Sequence, residues 1–372
     1  MKSKLSPGEK RNIYFPQLDS VRGMSVIGIF LFHTVRINYS RIFLGGFIQY
    51  LFNSLPLALD VFFVLSSFLL TYLALNEYTK RGNFSFRNYF TRRILRIWPL
   101  YYFILILAFI LFPFLANLLH VKMTLPPPLF YAFYIANFYT IDHVFFLKFL
   151  WTISVEEQFY LLWGFCLRFF HRNLNKIIAI LFLVSISFSL YAVFNGIKYY
   201  FNTITYLFDF ASGALGALLI FRNSRVIRRL RNLSLAGTIV FYAYLSFHFI
   251  FFYFLNDSTT GTANELAGLT GRYLFILYIA VFMVEQMINI SRTKVFEKNR
   301  FLIFTGKISY GLYCFHGITI MIINLCTQHF KINLHNWLFV LICFAVNYFI
   351  AYISYRYLEL PFLKLKSKWR RI

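Results

Sequence analysis

The chain has 372 residues, of which 59% are hydrophobic, 22% aromatic and only 13% charged. Soluble domains carry about a quarter charged residues, and no water-exposed fold hides 50 Phe and 27 Tyr, so an integral membrane protein is implied. The net charge of +24 raises nucleic acid as a partner, but the placement of the cations argues against it.

Ten apolar runs are long enough to span a bilayer, which takes roughly 17 to 25 residues: 18–36, 57–75, 94–116, 149–170, 176–194, 206–221, 234–255, 271–289, 308–326 and 335–358. A further apolar piece at 129–141 reads as re-entrant or interfacial, so the expected fold is an all-α polytopic bundle of about ten transmembrane helices, eleven possible. With a cytoplasmic N-terminus, Lys2, Lys4, Lys10 and Arg11, the 80–93 loop, Arg172, the 222–231 loop, 292–307 and the 364–371 tail fall on one side. The other side holds a scatter: Arg41, Lys122, Lys148, Lys198 and Lys331. This is the positive-inside pattern, and it places both termini in the cytoplasm. The basic start resembles a signal peptide, but Asp19 and Arg22 within the first run and the absence of a small-residue cleavage site imply an uncleaved helix. Cys166, Cys314, Cys326 and Cys343 stand singly in apolar segments, without metal or disulfide spacing, and read as packing residues.

Ionisable residues inside spans are costly and point to function. In the first span Asp19 and Arg22 are spaced to pair. His33 follows Arg22 by three turns, about 16 Å along nearly the same face; on spacing alone, it reads more readily as a packing histidine than as a functional one. Asp60 opens the second span as a cap, and Ser66 and Ser67 suit close helix approach. Arg92, Arg93 and Arg96 share a turn where the third span begins. Snorkelling explains any one of them, whereas three suit a multiply charged phosphate ligand. The fourth span carries adjacent carboxylates, Glu156 and Glu157, about two turns from the outer surface. Their side chains diverge by about 100°, so one is expected to face a cavity and the other a packing partner; Glu156 shares a face with Phe159 and Tyr160. In the ninth span Ser309, Tyr313 and His316 line one face. Glu359 precedes Pro361 at the end of the last span.

These pieces, in this order, resemble the acyltransferase-3 family of membrane acyltransferases, which O-acylate bacterial surface glycans and related acceptors. The segments that carry the resemblance are LDSVRGMSVIGIFLFH (18–33), DVFFVLSSFLLT (60–71), FRNYFTRRILRIWPLYY (86–102), LWTISVEEQFYLLW (150–163), GKISYGLYCFH (306–316) and YRYLELP (355–361). The resemblance implies a single acyltransferase-3-like transmembrane domain over 1–372, with no appended soluble domain, in the bacterial cytoplasmic (inner) membrane. It implies His33 as catalytic, Glu156 as the carboxylate of the fourth-span motif, and Arg93 with Arg96 near the acyl donor. Asp19 is assigned with the catalytic pair, Arg92 and Arg22 with the donor, and Glu157, Ser309, Tyr313 and His316 to acceptor or support. The implied partners are acyl-CoA (acetyl-CoA by default) as donor substrate, a carbohydrate or lipid-linked glycan as acceptor, and membrane lipids. No permanently bound cofactor, metal or nucleic acid is expected. Ser67 departs from the family, which usually has glycine there. Many relatives also carry an extracytoplasmic hydrolase-like domain, which a partner would have to supply here. His33 would act as a base or as an acyl relay, with one glutamate orienting it or helping to place the acceptor. The rival reading is a transporter or flippase of a lipid-linked sugar with a His33, Glu156 and Asp19 proton relay and the arginines gripping a lipid pyrophosphate; against it stand the lack of an inverted repeat and the small number of Gly/Pro-broken helices.

Overall fold

The computed structural model describes residues 14–35, 44–118, 120, 124–139, 146–288 and 294–368. The N-terminal basic run, Arg41, Lys122 and the last basic residues of the tail lie outside the described residues. Within them every regular element is helical, and there is no strand.

Each apolar run coincides with a helix: α1 (Pro16–Thr34), α2 (Leu57–Arg81), α3 (Phe86–Ile106), α4 (Trp151–Phe169), α5 (Leu174–Phe194), α6 (Leu207–Phe221), α7 (Leu235–Ser258), α8 (Gly261–Ile288), α9 (Ser309–His329) and α10 (Asn336–Ser354). Eight of these belong to segments long and apolar enough to cross a membrane, and the protein is a multi-pass membrane protein. The two outside that set are α1 and α4. They carry Asp19, Arg22 and His33, and Glu156, Glu157 and Arg168, so the polar residues that lower their hydropathy are largely those singled out above.

The segment 129–141 does not supply an eleventh span. Its described part has one helix of 5 residues, Pro128–Ala132, and a 3-10 turn, Ala136–Phe138, far short of bilayer thickness. Irregular backbone survives at membrane depth only where its polar groups find partners in the protein. Here Tyr101 donates to the Tyr131 carbonyl at 2.8 Å, Tyr102 to Ala132 at 3.0 Å, and Gln158 to Tyr134 at 2.8 Å.

Close packing follows from small residues. Gly213 of α6 lies against the Val64 and Phe68 backbone of α2, where a Cβ would clash. Ser67, the residue that departs from the family pattern, donates to the Phe210 carbonyl at 2.5 Å and stitches the same two helices together. Gly306, in the short helix Arg300–Lys307, meets the backbone of Asp19 in the same way and sets the start of α1. Asp60 is no simple cap. Arg272 of α8 reaches it at 2.8 Å and Asp209 of α6 at 2.7 Å, tying three helices together. A buried pair of this kind repays its desolvation only while all partners stay in place.

Candidate functional site

Helices α1, α2, α3, α4 and α9 line a cavity of about 80 Å³. Arg22 comes from α1, Ser66 from α2, Arg93 and Arg96 from α3, Glu156 and Tyr160 from α4, and Ser309 and Tyr313 from α9. The i, i+3 spacing of Arg93 and Arg96 brings both guanidinium groups to one side of α3. Arg93 lies over the Tyr160 ring, 5.3 Å from its centroid, a favourable cation–π placement. Glu156 accepts from Ser66 at 3.2 Å and from Tyr160 at 3.0 Å. Three guanidinium groups therefore share this space with one carboxylate. Arg22 is partly offset by Asp19, at 3.1 Å on the cavity's margin, and the balance remains positive. Such a site suits a polyanion held by forked hydrogen bonds.

His33 lies beyond this space, in an adjoining cavity of about 460 Å³ that Lys148, Trp151 and Tyr200 also line. Leu59 and Tyr313 line both cavities and so stand where they meet. Tyr313 is clamped: its hydroxyl donates to the Phe149 carbonyl at 2.8 Å and is 2.7 Å from the Thr152 hydroxyl. Helix α1 thus passes along the first cavity at Arg22 and the second at His33, as their eleven-residue spacing requires. The ring of His316 stands 5.3 Å from that of His33, with Phe149 against both, at 4.4 Å from His33 and 4.3 Å from His316.

The remaining candidates are placed differently from the sequence expectation. Arg92 does not line the cationic cavity; it pairs at 3.3 Å with Glu77, a fully buried carboxylate of α2 that also accepts from the Ser85 backbone. The i, i+1 step from Arg93 turns it away. Asp19 is not among the cavity-lining residues and acts on the site through Arg22. Glu156 does not bond to His33: its carboxylate is engaged by Ser66 and Tyr160 on the other side of the Leu59–Tyr313 wall. Glu157 faces Trp98, whose indole N–H is 3.5 Å away, and its other oxygen is buried without a partner among the described residues. His316 is held through Nδ1 by the Tyr313 carbonyl and supports the His33 ring, while Ser309 lines the cavity with its hydroxyl turned to Gly306.

Sequence reading passed over Leu59, and treated Ser66 as a packing residue. Leu59 carries no sequence signal, whereas Glu77, Asp209, Arg272 and Glu285 would have met the same test of ionisable residues in apolar helices. Glu285 is buried and accepts from Tyr242 at 2.8 Å.

The two neighbouring glutamates give an internal comparison. Glu156→Gln keeps the shape but removes the one carboxylate that lines the cationic cavity among the described residues, and is expected to lower turnover by about 10- to 100-fold, the cost of roughly one charged hydrogen-bond network. Glu157→Gln removes a buried charge that has one long hydrogen bond, so it should leave turnover within a few-fold and hold or raise the melting temperature. Turnover and thermal unfolding of both variants in detergent check this; the opposite order would reverse the facing assigned to α4.

Comparison with known proteins meets this geometry. The acyltransferase domain family matches residues 15–356, nearly the whole chain. The chain belongs to the acyltransferase-3 family. Every element of both cavities falls within the matched range. Two relatives are a peptidoglycan O-acetyltransferase of Listeria monocytogenes, 28% identical over 94% of this chain and 56% of its own length, and an O-acetyltransferase of Staphylococcus aureus, 28% identical over 94% of this chain and 57% of its own length. The chain therefore spans under three-fifths of these two curated acyltransferases. No solved structure gives a significant match.

Proposed function

We propose that this acyltransferase-3 member is an acyl-CoA-dependent O-acyltransferase, acetyl being the simplest acyl group, that modifies a hydroxyl of an envelope glycan or glycolipid. The observation that carries the reading is the pairing of the two cavities, one rich in guanidinium groups and the next holding His33, which meet at Leu59 and Tyr313. The proposed sidedness follows the charge count: ten spans with both termini cytoplasmic, the arginine cavity toward the cytoplasm of a bacterial cell and the His33 cavity toward the outside. Arg22, Arg93 and Arg96 would grip the phosphates of acyl-CoA, and its pantetheine arm would carry the thioester to the Leu59–Tyr313 wall.

There the acceptor hydroxyl oxygen bonds to the acyl carbon as its proton passes to the imidazole of His33. The C–S bond then breaks, and the CoA thiolate takes the proton back from His33, leaving an ester and free CoA thiol. Proton transfer of this kind contributes about 10²- to 10⁴-fold. Glu156 would hold the arginine cluster in place, with no role as orienter of His33. The activities of its relatives, O-acetyltransferases by name, favour this reading over transport. The test uses the purified protein in proteoliposomes with acetyl-labelled acetyl-CoA and a bacterial glycan fraction. Label should appear in ester linkage with an equal amount of free CoA thiol; movement of a lipid-linked sugar without acyl transfer would overturn the reading.

A further inference from the structure

The connection between α6 and α7 concentrates positive charge on one short helix. From Phe221 to Asn232 the sequence holds five arginines, Arg222, Arg225, Arg228, Arg229 and Arg231, and no Asp or Glu. Most of them lie in the helix Arg225–Arg231, whose first turn is capped by the Ser224 hydroxyl, which accepts from the Ile227 N–H at 3.4 Å. Helix α6 ends at Phe221 and α7 begins at Leu235. The short helix is therefore held between the ends of two membrane helices, at the depth of the lipid headgroups. Ile227 is buried and anchors it, in a cluster shared with Ala217 of α6 and with Met283 and Val284 of α8.

Helical spacing then decides where the guanidinium groups go. Arg225, Arg228 and Arg229, at i, i+3 and i+4, share a face turned away from Ile227, and all five arginines are exposed. Arg222 donates to Asn175 of α5 at 3.0 Å, and Arg228 to the Asn223 carbonyl at 2.9 Å. Neither partner is charged, and no ion pair neutralises any of the five among the described residues. Like charges at these spacings oppose helix formation, so this face calls for counter-anions. Positive-inside topology asks for cations on this side, but not for three on one turn. Beside the arginines Phe221, Val226 and Leu235 are exposed as well, an apolar margin that suits acyl chains more than a soluble anion.

We propose that this face is a docking surface for the anionic phospholipid headgroups of the adjoining leaflet. The guanidinium groups take the phosphate oxygens in forked hydrogen bonds. Val226 and Leu235 meet the upper acyl region, and the negative potential of the leaflet adds to the attraction. No residue of this helix lines either cavity described above, so the surface is independent of the acyltransfer reading.

The test follows thermal unfolding of the full chain in a maltoside detergent while lipid is titrated in. Dioctanoyl phosphatidylglycerol should raise the melting temperature at about tenfold lower concentration than dioctanoyl phosphatidylcholine, and added salt should erode that preference. Replacing Arg225, Arg228 and Arg229 with Gln should abolish most of it. The replaced side chains are exposed and repel one another, so the variant should fold, and its own unfolding transition shows whether it does. A control removes three other exposed cations assigned to the same side, Lys80, Arg81 and Arg172, also to Gln, and should keep the preference. An equal response of the unaltered protein to the two lipids overturns the proposal. So does an equal loss in the control and in the Arg225/Arg228/Arg229 variant, which would mean that net charge alone attracts the lipid. Glycerol 1-phosphate has the phosphate without the acyl chains and should give no comparable shift at the same concentrations. A full shift with it would assign the face to a soluble phosphate and overturn the lipid docking surface.

Discussion

His33→Ala is expected to abolish acyl transfer, lowering turnover by about 10²- to 10⁴-fold, the range spanned by general acid–base catalysis. The residue is placed for the effect: it lines the cavity next to the arginine cluster, at the wall where the acyl group would arrive. Two aromatic neighbours hold its ring, Phe149 and His316, so replacement removes a proton carrier from a supported position. Donor binding should survive, because no described contact of His33 reaches the cationic cavity. Measurement of labelled acetyl transfer beside CoA binding in detergent separates the two effects. His316→Ala makes the comparison sharper. It removes a packing neighbour with no place on the cavity lining, so it should reduce turnover less than His33→Ala does. Near-native turnover of His33→Ala would take the histidine out of the mechanism.

Replacing both Arg93 and Arg96 with Gln is expected to weaken acyl-CoA binding by about 10²- to 10⁴-fold. The figure follows from two charged hydrogen bonds worth roughly 1.5 to 3 kcal/mol each, at about 1.4 kcal/mol per decade. Glutamine keeps much of the length and some donors but loses the charge and the fork. The salt dependence of binding should fall as well, since fewer ion contacts are made. Arg92→Gln supplies the contrast. It breaks the pair with Glu77, leaves a buried carboxylate uncompensated, and should cost stability more than donor affinity. Calorimetry with CoA at two ionic strengths, alongside thermal unfolding, reads both. Unchanged CoA affinity in the Arg93/Arg96 double variant would reduce these arginines to snorkelling residues.

The helices themselves were legible because a span has to be apolar over its whole length, and this chain interrupts that pattern only where it places polar groups. The Arg93–Arg96 ledge and the divergence of Glu156 from Glu157 were legible too, since both follow from 3.6 residues per turn. What escaped the sequence depends on contacts between distant elements. Arg92 differs from its neighbour only in meeting Glu77, fifteen residues earlier, and no local pattern announces that pair. The separation of Glu156 from His33 arises because Leu59 and Tyr313, from α2 and α9, stand between their cavities; helical periodicity carries no information about a third helix. The non-spanning segment at 129–141 was ambiguous for a related reason. Its backbone is satisfied by Tyr101, Tyr102 and Gln158, all on other helices.

The thin wall has an electrical consequence. Membrane voltage drops across the least conducting stretch of a path, and lipid spreads that drop over about 30 Å. In this bundle two cavities meet at Leu59 and the clamped ring of Tyr313, which line both. Water entering the two cavities from opposite faces would concentrate the voltage over the stretch between them. A full charge carried through it does work against the entire potential, about 2.3 kcal/mol per 100 mV. An acyl group handed from sulfur to oxygen carries no net charge, so its passage is indifferent to voltage.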